Sequence, residues 1–550
     1  MTDTTEVVAP PTGDVDTHDD GGHRHLGWAL VLICIAQLMV VLDSTIANIA
    51  IPFIGNDLHI GRANLQWVVT GYSLAFGGLL LLGGRLGDLY GRRRIFVIGL
   101  SMFAIASGLG GFAQNEAMLL TSRGLQGLGA ALASPAALAL ITTTFPAGPR
   151  RNQAFSVYAA MSGVGAAIGL LLGGWLTGLH PSIFGTGVDG WRLTFLINVP
   201  IGLIAATAAP RLLAESDSRR GQLDLPGAVS GTLGLVSLVY GINRAGDARY
   251  GWGNGGTITF LAVGLALLLA FVMIERRVEH PLLPLRILAN RTRATAFVAM
   301  MIVPAAMFAM FFFLSQFVQD VMGYTPLQAG LSFLPFPFAM VFGAALSSKL
   351  MNRLDPRFLA GTGTLLAGVA LLNFHRLSVD ASASNIVHLA TGAHGAVYLG
   401  HTINYWSSIF PFIALMAFGM SLTFIPLTLS AVHHVDERDS GIGSGVLNTM
   451  QQVGGALGLA TLATIATHFV TQKAGSLGTS VGHALAGGTA GPVNHGTVQQ
   501  LVGQAAFTSG GTHAFLVGAF MIWTASVILW VFLNVSHEEM ATDAAPTAAH

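Results

Sequence analysis

Apolar stretches long enough to cross a bilayer recur from end to end of this 550-residue chain, separated mostly by short polar loops. A span needs about 20 mostly apolar residues to cover the hydrocarbon core. Such segments lie near 27–54, 64–84, 95–113, 117–143, 155–179, 192–213, 225–243, 256–275, 294–318, 327–348, 358–375, 407–431, 441–468 and 512–535. Within lipid, backbone polar groups must be satisfied inside the segment, so fourteen helices are predicted: an all-α polytopic membrane protein. The segment from 441 is rich in Gly and polar side chains and carries the weakest apolar signal. Charged residues make up only 9% of the chain, against about 25% for a soluble domain.

The acidic first 26 residues precede an apolar run too long for a secretory h-region, so an uncleaved first helix behind a disordered tail is expected. Net charge is zero, which suggests no nucleic-acid partner. The single cysteine, Cys34, excludes an intrachain disulfide. Basic residues alternate by side. Alternate loops carry Arg85 and Arg92 to Arg94, then Arg150 and Arg151, Arg211, Arg219 and Arg220, Arg276, Arg277, Arg286, Arg291 and Arg293, Lys349, Arg353 and Arg357, then Arg438. This bias places those loops and both termini in the cytoplasm. The two long opposite loops, about 376–406 and 469–511, read as flexible because Gly, Ala, Ser, Thr and His dominate them.

A faint repeat relates Gly87-Asp88-Leu89-Tyr90-Gly91-Arg92 to Ser348-Lys349-Leu350-Met351-Asn352-Arg353, with Asn352 where a left-handed turn residue is plausible. The expected organisation is a tail (1–26), a six-helix half (27–213), an inserted helix pair with its linkers (214–291), a second six-helix half (292–536) and a second tail (537–550). Repeated halves with a site between them are the usual build of secondary transporters.

Asp43 lies in the middle of the first apolar segment, and an acid there is costly and points to a proton, ion or substrate site. At 100° per residue it shares a face with Ala36, Ala47 and Ala50, beside a polar stripe of Gln37, Ser44 and Asn48. Arg123 in the fourth segment, on one face with Gln126, Gly127, Ala130 and Ser134, needs a partner; Asp43 or backbone carbonyls would serve. Burial favours the neutral form of Asp43 and a nearby guanidinium favours the charged form, a balance suited to loading and releasing a proton.

The string from Gly84 to Arg94 has a Gly/Asp/Gly/Arg spacing beyond that of a plain basic loop. Gly84, Gly87 and Gly91 suit a tight turn, Asp88 could cap a helix across the seam between halves, and Arg92 could pair with acids, together a conformational latch. Candidate cavity residues are Asn48, Gln126, Phe312, Gln316, Asn448 and Gln451, with Met300, Met301, Met307 and Met310 suited to varied apolar guests or simply to packing.

The Gly84–Arg94 string resembles the signature of the major facilitator superfamily, and the Leu42-Asp43-Ser44-Thr45 … Asn48 … Pro52 run resembles its fourteen-span drug:proton antiporters of the EmrB/QacA type. Similar too are Trp191-Arg192 … Asn198-Val199-Pro200, Gln319 with Gly323-Tyr324 and Gln328-Ala329-Gly330, and Gly441 … Gly443-Ser444-Gly445 … Asn448. The resemblance covers nearly all of 27–535. It implies the major facilitator fold, two six-helix halves plus two inserted helices, and a proton-linked role for Arg123. Gly165, Gly169, Gly173 and Gly174 resemble the family's antiporter motif, with Leu170 where its proline would stand; close helix packing explains the ladder equally well.

No phosphate-binding lysine loop, metal-ligand spacing or catalytic constellation is present in the sequence, so neither an ATP-driven pump nor an enzyme is expected. The implied activity is proton-driven export of small hydrophobic or amphiphilic compounds from a monomer in the bacterial inner membrane, with the proton gradient in place of a cofactor. Alternatives are a lipid or amphiphile exporter of the same fold and a nutrient uptake symporter.

Overall fold

Fourteen long helices stand side by side in the computed structural model, which describes residues 20–539 apart from 147, 184–185, 216–221, 248, 392–394, 434–439 and 487–492. In chain order they are α1 (Asp20–Asp57), α2 (Trp67–Tyr90), α3 (Arg92–Gly111), α4 (Glu116–Thr144), α5 (Pro149–Gly178), α6 (Asn198–Leu212), α7 (Leu225–Gly246) and α8 (Gly255–Glu275). There follow α9 (Arg291–Gln316), α10 (Pro335–Leu350), α11 (Pro356–His375), α12 (Phe410–Val432), α13 (Ser440–Ala486) and α14 (His495–Phe532). Among the described residues thirteen helices are long and apolar enough to cross a membrane, and α5 adds a shorter apolar stretch, Val164–Gly178. The weak segment from 441 is therefore a span. The predicted tails lie mostly outside the described residues, although α1 already begins at Asp20. Asp436, Glu437, Arg438 and Asp439 also lie outside them.

Local chemistry sets the helix ends. Asn115, Asp224, Asn254, Asn290 and Asn494 accept backbone N–H groups at the starts of α4, α7, α8, α9 and α14. Pro149, Pro335 and Pro356 occupy first-turn positions where no donor is needed. The predicted turn between α2 and α3 is tighter than expected: Gly84 and Gly87 stay helical, and Gly91 alone turns the chain, at φ +96°. Asn352 does not adopt the left-handed conformation; among described non-glycine residues that belongs to His59.

One hydrophobic cluster, with Tyr72, Phe96, Phe103 and Leu140, holds the first six helices at the end bearing the arginine-rich loops, here called the basic end. A second, larger cluster crosses from Ile49, Ile51 and Ile54 to Val318, Phe333 and Phe374, joining the first six helices to the last six toward the opposite end. The inserted helices α7 and α8 pack on each other through Gly234 and Gly264. Of the pair, α7 reaches both halves: Gly78 of α2 meets Thr232, and Gly246 meets Thr464 of α13, whose hydroxyl donates to Ile242 O at 2.9 Å. By contrast, 11% of α8's spanning residues are buried, so its apolar surface faces outward.

The loops read as flexible are largely folded. The 47 residues of α13 extend about 70 Å at 1.5 Å per residue, more than twice the roughly 30 Å hydrocarbon core. Beyond the core, Leu477 and Val481 of α13, Val498, Leu501 and Ala505 of α14, and Ile386 and Ala390 of a short helix, Ala383–Ala390, form their own buried cluster. Gln504 pins the 397–399 segment to it, accepting from Leu399 N at 2.9 Å and donating to Val397 O at 3.1 Å. This cap stands at the end opposite the basic loops.

Candidate functional site

The structure brings Asp43, Arg123 and Gln126 together in a sealed polar cluster inside the first half, joined by Asn198, which the sequence offered as part of the Trp191 … Pro200 motif without a role. Asp43 is 2% exposed and Arg123 1% exposed. An Arg123 Nη1 donates to Asp43 Oδ2 at 2.7 Å, and Gln126 Nε2 and Asn198 Nδ2 donate to Oδ1 at 2.9 and 3.1 Å. Three side chains from α4 and α6 thus converge on one carboxylate of α1. Charge-assisted bonds of this kind are roughly twice as strong as neutral ones.

Arg123 is fixed independently of the acid. Its Nε donates to Val68 O at 2.7 Å, Nη1 to Gln126 Oε1 at 2.9 Å, and its guanidinium carbon lies 4.5 Å from the Tyr72 ring centroid and 5.7 Å from that of Phe195. Both sequence-level options, an acid partner and a backbone carbonyl, are realised at once. Gln126 also donates to Ser107 Oγ at 2.7 Å. Asn198 Oδ1 and the Tyr72 hydroxyl are buried without a hydrogen-bond partner. Gln126, expected in a cargo cavity, belongs instead to the carboxylate's shell.

Why α1 holds this position is written in α5. A Cβ on Gly165 would meet Leu38 and Val41 at 3.1–3.3 Å, one on Gly169 would collide with Thr45 Oγ1, and one on Gly173 would lie 3.1 Å from the Ile46 Cα. The ladder therefore packs on the side of α1 away from Arg123. Gly174 faces elsewhere: its Cβ would strike Pro326 O, and a Cβ on Gly330 would strike Leu170 O. Leu170 is fully buried at this contact, where α5 meets the short helix Pro326–Ser332.

That contact belongs to a seam between the halves. Ser315 Oγ donates to Asn48 O at 3.1 Å and Gln319 Nε2 to Ile49 O at 3.3 Å. Gln319 sits in a π-turn, Phe317–Val321, that ends at Gly323 with φ +80°. Thr325 and Gln328 then form a reciprocal capping box. Asn48 is nine-tenths buried, its side chain donating to Ser44 O at 3.0 Å. Phe312 and Gln316 are packed in the core, with Gln316 Nε2 donating to Phe312 O at 3.0 Å. On α13, Asn448 is exposed and Gln451 half-buried, while the Cβ of Gln452 abuts Gly77 of α2. The expected cavity set is thus dispersed, and neighbouring helices cover most of it.

The latch residues close within the first half. Arg92 donates to Asp88 Oδ1 from Nη2 at 3.1 Å and to Ala139 O at 3.3 Å on α4. Asp88 therefore pairs four residues along its own chain rather than capping a helix across the seam. The Gly91 turn receives Glu215, which accepts from Arg93 N at 3.0 Å. Gly84 lies 3.6 Å from Pro135 as measured from a built Cβ, whereas the tight backbone crossing falls one residue earlier, at Gly83 against Ala131 O.

Outside the spanning segments, Asp355 is held below the usual carboxylate range first by its hydrogen bond from His537 and then by Arg357. Among the described residues no group of three or more His, Cys, Asp or Glu side chains is arranged to hold a metal.

Comparison with known proteins agrees with this architecture. The Major Facilitator Superfamily model matches residues 33–459. The puromycin resistance protein of Streptomyces alboniger is 40% identical over 460 residues, covering 82% of this chain and 84% of that protein. The uncharacterized MFS-type transporter EfpA of Mycobacterium tuberculosis is 36% identical over 517 residues, covering 93% and 87%. The cephamycin export protein CmcT of Amycolatopsis lactamdurans is 37% identical, covering 84% and 89%. The crystal structure of a bacterial homolog of the human lysosomal transporter Spinster, inward-facing and unoccupied, superposes with a TM-score of 0.64 at 16% identity, covering 95% of this chain and 99% of that one. With its helical bundle, its two joined halves and these relatives, the chain belongs to the Major Facilitator Superfamily.

Proposed function

We propose that this protein is a proton-coupled exporter of hydrophobic or amphiphilic drugs, working by alternating access in a bacterial inner membrane with both termini in the cytoplasm. The carrying observation is Asp43, a buried carboxylate with three side-chain donors and an arginine that keeps other partners when the charge is lost. Relatives named for puromycin resistance and cephamycin export support a drug as cargo. The basic loops at one end support the orientation.

The geometry supports the following exchange. With Asp43 charged, Arg123, Gln126 and Asn198 hold it. When Asp43 takes a proton, the new O–H needs an acceptor, and Asn198, whose amide already touches Asp43, carries an Oδ1 without a partner. Arg123 keeps Val68 O, Gln126 Oε1 and the Tyr72 face. The loss of one ion pair then weakens the link between α1 and α4 without leaving the arginine bare. The proton gradient supplies the energy, and no cofactor takes part.

A second cargo class has its own support. A cavity of about 880 Å³ is lined by Tyr324, Phe338, Trp406 and Phe410 among others, and Phe338 and Trp406 are 70% and 71% exposed. An open aromatic groove of this kind suits a lipid or another amphiphile. Efflux of ethidium from cells lacking their own pumps tests the main reading: the protein should lower dye accumulation, a protonophore should abolish the effect, and Asp43→Asn should do the same at wild-type membrane abundance. Full efflux by that variant would exclude Asp43 as the proton carrier.

A further inference from the structure

A second pair of buried acids lies far from Asp43 in sequence, at the basic end of the inserted helices. Asp224 immediately precedes α7 and Glu275 ends α8, and they are 3% and 4% exposed. One oxygen of each is occupied by the backbone: Asp224 Oδ1 accepts from Gly227 N at 2.8 Å, and Glu275 Oε2 accepts from Leu283 N at 3.0 Å. The others, Asp224 Oδ2 and Glu275 Oε1, are buried with no donor. The two carboxyls are within hydrogen-bonding reach of each other.

Two acceptors facing each other in an apolar setting are unfavourable unless a proton sits between them. The setting is apolar: Leu82 of α2, Ala228 and Leu282 pack together here, with Leu86 and Leu223 against them. Among the described residues the charged groups on the surrounding elements are Arg85 and Asp88 on α2, and Arg276, Arg277, Glu279, His280 and Arg286 after α8; Arg219 and Arg220 lie outside the described residues. Among the described residues none of them makes an ion pair with Asp224 or Glu275. Among the described residues no cation therefore neutralises the pair, and like charges in contact cannot both ionise cheaply. A hard metal cation gathers about six or more oxygens, and only two are free.

We propose that Asp224 and Glu275 form a second proton-binding site, one proton shared between the two carboxyls, which closes the basic end of the α7–α8 hairpin. Singly protonated, the pair is a bond between the start of α7 and the end of α8. Stripped of its proton, it becomes two like charges side by side, and the hairpin opens there. Since α7 is the member that touches both α2 and α13, the proton on this pair sets how the insertion leans on the seam between halves. This site is independent of any role for Asp43.

Infrared difference spectroscopy on the full chain in lipid tests it, with Asp43→Asn as the parent so that Asp43 contributes nothing. At neutral pH the parent should show a protonated-carboxyl C=O stretch equivalent to one group, lost on raising the pH. Adding Glu275→Gln, or separately Asp224→Asn, should abolish that band, because the new amide donates to the remaining carboxylate. Exchanging choline for sodium should leave it unchanged. A parent without the band, a band that survives either substitution, or one that sodium removes would each overturn the proposal. Because either substitution alone should abolish the band, one variant that folds is enough to decide the matter.

Discussion

Asp43 and Arg123 were legible as an ionisable couple from position alone: each lies inside an apolar helix and needs a partner. What position could not give is the rest of the shell. Gln126 shares Arg123's face, so its nearness to the arginine was visible, but not its bond to the carboxylate. Asn198 follows a short helix, Gly190–Leu196; its motif marked the residue, but its approach to Asp43 depends on how α6 packs beside α1, a tertiary fact. Asn198→Ala removes one charge-assisted donor to Asp43, worth about 1.5–3 kcal/mol. Ethidium efflux should slow at wild-type membrane abundance; an unchanged rate would make Asn198 a packing residue only. Arg123→Ala is expected to be harsher, because stripping one partner from a buried pair typically costs about 3–5 kcal/mol.

Among the elements, the fourteen helices could be read from apolar length because lipid permits little else. The cap could not be read from composition, since Gly, Ala, Ser and Thr dominate it, yet Leu477 and Val481 repeat at helical spacing and point to a buried stripe. The α5 glycine ladder was legible as close packing, and the structure names α1 as the partner. Gly169→Val would drive a side chain into Thr45, so it should destabilise by about 1–3 kcal/mol, seen as a lower melting temperature in detergent; an unchanged midpoint would mean that α1 can slide away freely. At the basic end, Asp355 ties α11 to the segment after α14 through His537, at 3.0 Å from its ring nitrogen. A carboxyl held below its ordinary value stabilises above the unfolded value, near 3.9, and loses that contribution as pH falls through the lower, folded one. Hydrogen exchange at residues 536–539 should therefore quicken as pH drops below about 4, beyond the intrinsic pH trend; Asp355→Asn should show that fast exchange already at neutral pH.

For the whole molecule, the repeat of six helices was faintly visible, but not which end is shut. The seam through Gly174, Leu170, Pro326 and Gly330 closes the end away from the basic loops, because two glycines let backbones touch. Gly174→Val should pry that end apart. Spin labels at His180 and Leu327, both exposed, would move farther apart in the variant than in a label-only control, with the buried Cys34 replaced by Ser. Equal distances in the two would show that the seam reforms around the added side chain.

The length of α13 has a consequence at this same scale. Its backbone is pinned at Gly454 against Met301 O, and it continues as one helix to Ala486. From Gly454 to Gly482 is about 42 Å of unbroken helix at 1.5 Å per residue. A rocking of about 10°, smaller than known subunit rotations of about 15°, would sweep its tip through roughly 7 Å. The cap is therefore a pointer on a lever, displaying in water the tilt of a helix whose fulcrum is hidden between the halves.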